Sequence, residues 1–254
     1  MAAILTARGL RKEFGGLVAV SDLDVDIEAK RLTAVIGPNG AGKTTLFNLI
    51  DGTLRPTRGE ILLNGAPLNG LPPHVRAAVG LARTHQSALL FHNMSVLENV
   101  MVGRHTRSRT GFLAAALRTP GARREEEETR RKATVYLNLV GLGLKANDGA
   151  AALPFGQQRL VAIARALATE PRLLMLDEPG AGLNTMEKKD LGELLQRVRE
   201  MGVTVLLVEH DMDLVMRVAE RVVVLDYGVK IAEGTAAEVQ RDRKVIAAYL
   251  GEEE

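Results

Sequence analysis

The sequence predicts an α/β fold with a largely parallel sheet, and three observations carry that prediction. Short apolar runs alternate with helix-period segments along most of the 254 residues. One run, LTAVIG (32–37), reads as a buried strand leading straight into a glycine-rich loop. Three more, LLMLD (173–177), TVLLVEH (204–210) and RVVVLDYG (221–228), read as further strands with helical segments between them.

Around this frame the elements follow in order. A helix over about 43–50 should follow the glycine loop. GEILLNG (59–65) reads as a strand closed by an Asn-Gly turn, which places a hairpin near the N-terminus. NTME at Asn184 offers a capping box with Glu187, opening a helix to about Glu200. Between them, from about Ser87 to Ala168, β-branched runs thin out and helix formers dominate. Leu160, Ile163, Ala164 and Leu167 form a helical stripe within 159–169. The middle therefore reads as a helical insertion into an α/β core that resumes near Pro171. There are no internal repeats, and the one biased tract is the acidic GEEE (251–254).

Composition narrows the function classes. A hydrophobic content of 46% and a charged content of 25% suit a globular chain able to bury a full core. The net charge of +2 is nearly balanced, and the charges alternate in sign in ARREEEETRRK (122–132), so no dedicated nucleic-acid surface is expected. With no cysteine there is no disulfide framework or thiolate metal site. The start, MAAILTARGLRKEF, lacks the order of a secretory signal, and no apolar run approaches a membrane span of about 18 residues. A cytoplasmic chain is expected, with any membrane role supplied by a partner.

The glycine loop, GPNGAGKTT, comprises Gly37, Pro38, Asn39, Gly40, Ala41, Gly42, Lys43, Thr44 and Thr45. Glycine, four residues, then Gly-Lys-Thr is a phosphate-cradling pattern. The glycines let backbone N–H groups converge on one phosphate, and the following helix adds its positive end. Lys43 brings a point charge to the outer phosphates, and the Thr44 hydroxyl suits Mg²⁺. ATP and Mg²⁺ are thus the expected ligands.

LLMLD ends in Asp177 and Glu178, two carboxylates at the exit of a buried strand, where ligands of open sheets bind. Asp177 can hold Mg²⁺ and Glu178 can take a proton from an attacking water. Alone, LDEP is as often a strand stopped by a proline; beside the phosphate loop the catalytic reading gains. His210, closing LLVEH, is alone more often structural, but a neighbouring strand would bring it near the γ-phosphate. Gln86, in RTHQ, says nothing by itself.

LPFGQQRLVAIARAL (153–167), shortly before the strand bearing Asp177, resembles the signature segment of the ATP-binding-cassette (ABC) ATPases, usually written LSGGQ. The order of motifs is similar to that family over nearly the whole chain. The resemblance implies one ABC ATPase domain over 1–254. Its parts would be an α/β catalytic core of the P-loop NTPase (RecA-like) type over 1–86 and 169–254, with an N-terminal antiparallel β-subdomain, and a helical subdomain over 87–168 that carries the signature. It implies that Glu178 is the catalytic base, His210 the switch histidine, and Gln86 the glutamine that senses γ-phosphate and Mg²⁺. Phe14, in KEFGG, matches the aromatic that stacks on adenine, the alternative being an ordinary packed core phenylalanine. AGLN (181–184) occupies the loop that crosses between subunits.

In that family two cassettes meet head to tail, so the phosphate loop of one and the signature of the other enclose each ATP. Here the signature residues are Pro154, Phe155, Gly156 and Gln157. Pro154 stands for the usual serine and removes a hydroxyl, while suiting a helix start. Phe155 stands for a glycine. Asn184 stands for the usual aspartate and keeps a capping side chain.

Finer segments, FGGLVAV, LLFHNMSVLENVMVG, PFGQQR, DEPGAGLN, EHDMDLVM and AYLGE, resemble cassettes of branched-chain and hydrophobic amino-acid importers. Partners implied are transmembrane permease subunits, a second ABC ATPase subunit and, indirectly, a periplasmic or lipoprotein substrate-binding protein, with the chain on the inner face of the membrane. The helical region near 89–102 would push on the permease. Urea or short-amide importers and exporters of lipopolysaccharide share the layout. A soluble ABC ATPase acting on DNA or ribosomes fits less well, because 43–153 leaves no room for long coiled coils and there is one cassette.

Overall fold

The computed structural model describes residues 2–86, 89–107 and 119–250. The acidic stretch 251–254 lies outside them. The chain divides into two compact units, Met1–Arg83 with Arg172–Glu254, and Thr84–Pro171.

The first unit is built on two sheets. β1 (Ala3–Phe14), β2 (Leu17–Glu28), β4 (Arg58–Leu63) and β5 (Ala66–Pro67) form an antiparallel sheet in the order β2-β1-β4-β5. In β2, Leu23, Val25 and Ile27 are buried while Asp22, Asp24 and Asp26 face out, the alternation of a strand with one wet face. β4 and β5 meet at Leu63 and Ala66 around Asn64 (φ 50°) and Gly65 (φ 77°), the two positive φ values an Asn-Gly hairpin turn requires.

The second sheet runs β10-β9-β3-β8-β7-β6, from β10 (Val229–Gly234), β9 (Arg221–Asp226), β3 (Leu32–Ile36), β8 (Thr204–Val208), β7 (Leu173–Asp177) and β6 (Leu81–Thr84). β9, β3, β8 and β7 run parallel to one another, and the hairpin strand β10 pairs antiparallel with β9. Every residue of β3, β7 and β8 is buried. Both faces are covered, as parallel strands require. Val35 joins a core that holds Leu46, Phe47, Leu49 and Ile50 of α1 (Lys43–Asp51) and Leu5 and Val25 of the first sheet. Ala34 and Ile36 point to a second cluster with Val215 and Val222. The helix α2 (Pro73–Ala78) follows β5.

The second unit is helical: α3 (Val96–Gly103), α4 (Pro120–Leu139) and α5 (Phe155–Ala168) pack on one another. Within the helical region expected near 89–102, the helix itself begins at Val96, where Ser95 and Glu98 form a capping box. Residues before it are held in a turn by Asn99, which is fully buried and binds Phe91 through N–H and C=O. α5 starts at Phe155 with Pro154 as its cap, at the proline that suits a helix start, and the stripe within 159–169 lies on it.

In the first unit, α6 (Thr185–Glu200) opens on the expected capping box, Asn184 Oδ1 accepting from Glu187 N at 3.0 Å and Glu187 returning the bond at 2.9 Å. α7 (Met212–Val218), α8 (Ala236–Arg241) and α9 (Arg243–Leu250) complete the chain.

Candidate functional site

β3 ends at Ile36 and the loop from Gly37 curls into α1. Gly37 has φ 149°, and a Cβ there would sit 2.0 Å from the Leu225 carbonyl oxygen; at Gly42 (φ 96°) it would sit 2.4 Å from the Ala19 oxygen. No other residue type fits either place. The loop is braced from outside: Gly228 N donates to Ala41 O at 3.1 Å, and Ser21 N to Gly228 O at 2.8 Å. Pro38, Asn39, Gly40 and Thr45 complete the curl around Lys43 and Thr44.

α1 has no side-chain cap at Gly42 and no acidic residue in its first turn, so the helix brings no carboxylate of its own to its positive end. The Lys43 Nζ folds back to donate to Gly37 O at 2.7 Å and Pro38 O at 2.8 Å. Burial pushes its ammonium below its ordinary value, while Glu178 and Asp177 pull it back up. Its charge is held where an anionic group inside the curl would meet it. The Thr44 side chain, next on the helix, is exposed.

Asp177 ends β7, buried, and Glu178 follows in left-handed backbone, φ 46°. Glu178 N donates to Val208 O at 2.9 Å. His210 lies two residues past the end of β8 rather than on the strand, with Nδ1 3.9 Å from Glu178 Oε2. Parallel pairing of Asp177 with Val208 brings them together. Phe14 is 44% exposed, with Lys12 Nζ 4.9 Å from its ring centre, and is not a core residue.

The other expected residues lie in the helical unit. Gln86 offers its carbonyl to Arg159 Nη2 at 3.1 Å. Pro154 caps α5 with no side-chain bond, and the first turn there has no acidic residue. Phe155 is 53% exposed, with the Arg159 guanidinium 4.9 Å from its ring; Gln157 Oε1 accepts from Lys145 Nζ at 2.8 Å. Gly156 lies in the same turn.

Three residues of the first unit were not anticipated. Glu209 is fully buried, taking N–H bonds from Gly180 at 2.6 Å, His210 at 3.2 Å and Asp211 at 3.4 Å. Burial pushes its carboxyl up, against the pull of those donors. A glutamate closing an apolar strand was its sequence signal. Arg83, in β6, contacts Asp177 and had no local signal. Tyr249 of α9, 42% exposed, lies beside the Gly37 backbone; desolvation raises its hydroxyl above the usual phenol value, against the pull of that backbone.

A curl built for an anion, two carboxylates at a strand exit and a facing histidine form one constellation in the first unit. Residues 20–181 match the family described as ABC transporter, and 229–254 match that of the branched-chain amino acid ATP-binding cassette transporter. The chain belongs to the ABC transporter family. This cassette is 46% identical over 250 residues to the high-affinity branched-chain amino acid transport ATP-binding protein BraF of Pseudomonas aeruginosa, covering 98% of each chain. It is 43% identical to the Escherichia coli protein LivG of the same description, again over 98% of each. The lipopolysaccharide export ATP-binding protein LptB of Haemophilus influenzae is 34% identical, over 99% of this chain and 98% of that one.

Among solved structures, a nucleotide-free ATP-binding cassette from an ABC transporter matches with a TM-score of 0.86 and 30% identity, over 99% of this cassette and all (100%) of that chain. The ADP conformation of such a cassette matches equally, at 0.86 and 30%, with the same 99% and 100% coverage. The fold is that of a P-loop ATPase, and this cassette is a nucleotide-binding transporter ATPase. Among the described residues no helix is long and apolar enough to cross a membrane.

Proposed function

We propose that this chain is the ATP-hydrolysing subunit that energises import of branched-chain or other hydrophobic amino acids. The observation that carries the reading is full-length similarity to BraF and LivG, joined to a C-terminal match to the branched-chain cassettes. LptB stands further off.

In this reading the amides of 37–45 and Lys43 bind the ATP phosphates, and Phe14 stacks on adenine. Asp177 and the Thr44 hydroxyl would hold Mg²⁺, and Gln86 takes the sensing role that the resemblance gives it. Among the described residues no three carboxylate or histidine groups gather to hold a metal alone. That suits Mg²⁺, which takes most of its ligands from phosphate and water. When bound it neutralises charge developing on the phosphates. Glu178 accepts the proton of the attacking water, and His210 orients the γ-phosphate end of the site.

A second cassette, identical or related, supplies its signature, the counterpart of Pro154, Phe155, Gly156 and Gln157, across the phosphates. The uncapped start of α5 supports this, because its free dipole end favours an anion. Residues 87–168 act as the helical subdomain between the core parts 1–86 and 169–254, and the turn and helix over 89–102 meet the permease. ATP closes the pair, and hydrolysis reopens it. The complex sits on the inner face of the cell membrane and is fed by a substrate-binding protein.

The test is uptake of labelled leucine, isoleucine and valine by cells lacking this chain, with and without its restoration. Loss and rescue of that uptake is expected. Intact uptake with lost urea or amide transport, or with lipopolysaccharide retained at the inner membrane, assigns the chain to another cargo.

A further inference from the structure

The carboxylate of Asp177 does not stand alone at the end of its strand. Arg83 Nη2 donates to Asp177 Oδ2 at 2.8 Å, and Arg83 Nη1 donates both to the Asp51 carboxylate and to Asn48 Oδ1 at 2.7 Å. The three charged side chains are only 6–9% exposed. The guanidinium also lies 5.5 Å from the centre of the Phe47 ring. Asn48 and Asp51 share one face of α1, three residues apart, and the first turn of that helix carries Lys43 and Thr44. One planar cation therefore ties the end of β7 to the phosphate-loop helix. The far end of α1 is anchored again by Arg76, which donates to Leu49 O at 2.8 Å and Ile50 O at 2.7 Å.

We propose that Arg83 is a positioning residue for the metal site, resting on the reading of Asp177 and Thr44 as Mg²⁺ ligands. The guanidinium has fixed geometry, so by engaging Oδ2 it restrains the Asp177 carboxylate, while Oδ1 takes no bond from Arg83. The same cation, through Nη1, ties that restrained carboxylate to the helix bearing Thr44. Carboxylate ligands held by an outer partner typically lose about 10–100-fold in metal affinity when the partner goes.

A purely structural ion bridge would behave differently. Binding of a fluorescent, non-hydrolysable ATP analogue to the full chain, titrated in EDTA and across a Mg²⁺ series, separates the two. For Arg83→Met, affinity in EDTA should match the wild type. The Mg²⁺ concentration that half-completes the change in affinity should rise about 10–100-fold. Arg83→Lys keeps the charge without the fork and should fall between; it carries the test if the Met variant does not fold. A wild-type Mg²⁺ response in both variants, or equal losses with and without Mg²⁺, overturns the proposal. Asp177→Asn is the reference. If it shifts the Mg²⁺ response and the Arg83 variants do not, the positioning role alone fails. If it too is without effect, the metal assignment fails and the proposal with it.

Discussion

Glu178 Oε2 and His210 Nδ1 face each other at 3.9 Å because β7 and β8 run parallel, with Asp177 opposite Val208. Glu178 is held in left-handed backbone by its N–H bond to Val208 O at 2.9 Å. That conformation costs an L-residue about 1–2 kcal/mol and persists only where the surroundings impose it. Glu178→Gln keeps size and backbone but removes the carboxylate proposed as the base. ATP binding should persist while turnover in the assembled complex falls by about 10²–10⁴. Steady-state phosphate release checks this; unchanged hydrolysis removes Glu178 from the mechanism.

Lys43 already donates to the Gly37 and Pro38 carbonyls, so its charge is in place before any phosphate arrives. Lys43→Ala should weaken nucleotide binding by about 1.5–3 kcal/mol, the value of a charge-assisted bond. Calorimetric titration reads this as roughly a tenfold or greater rise in Kd. Wild-type affinity would contradict the phosphate-loop reading.

Phe14 is 44% exposed, so its removal should leave thermal stability almost untouched. If it stacks on adenine, Phe14→Ala should cost about 1–3 kcal/mol of ATP affinity. A large fall in Tm with unchanged affinity would return Phe14 to a packing role.

Glu209 gives a pH signature. Burial raises its folded pKa above the ordinary 4.5, so between those values the folded chain holds a proton that the unfolded chain releases. Stability from this group therefore falls as pH rises through that window and levels off above it. Glu209→Gln cannot titrate. The Tm difference, wild type minus variant, should shrink as pH climbs above about 4.5. A difference that stays constant or grows counts against this.

How much of this was legible varies with how local each cause is. The glycine curl could be read because its glycines answer a local demand: Gly37 and Gly42 leave no room for a Cβ. β3, β7 and β8 could be read because strands buried on both faces become short apolar runs. β1 and β2 were missed in the residue pattern, although Leu23, Val25 and Ile27 alternate with three aspartates. β1 is harder, since its register shifts break any period of two. Arg83 was invisible, because its partners Asp51 and Asp177 are distant in sequence, and the order of β6 beside β7 and the packing of α1 bring them together. The turn before α3 hides in the same way, fixed by buried Asn99 rather than by turn residues.

The most direct measurement is ATP-dependent leucine uptake into proteoliposomes holding this chain with the permease and companion ATPase proposed for it, supplied with the proposed substrate-binding protein. Uptake should require ATP inside and should stop with Glu178→Gln although ATP still binds. Uptake that continues at the wild-type rate with Glu178→Gln, or that never depends on ATP, would contradict an importer powered from this site.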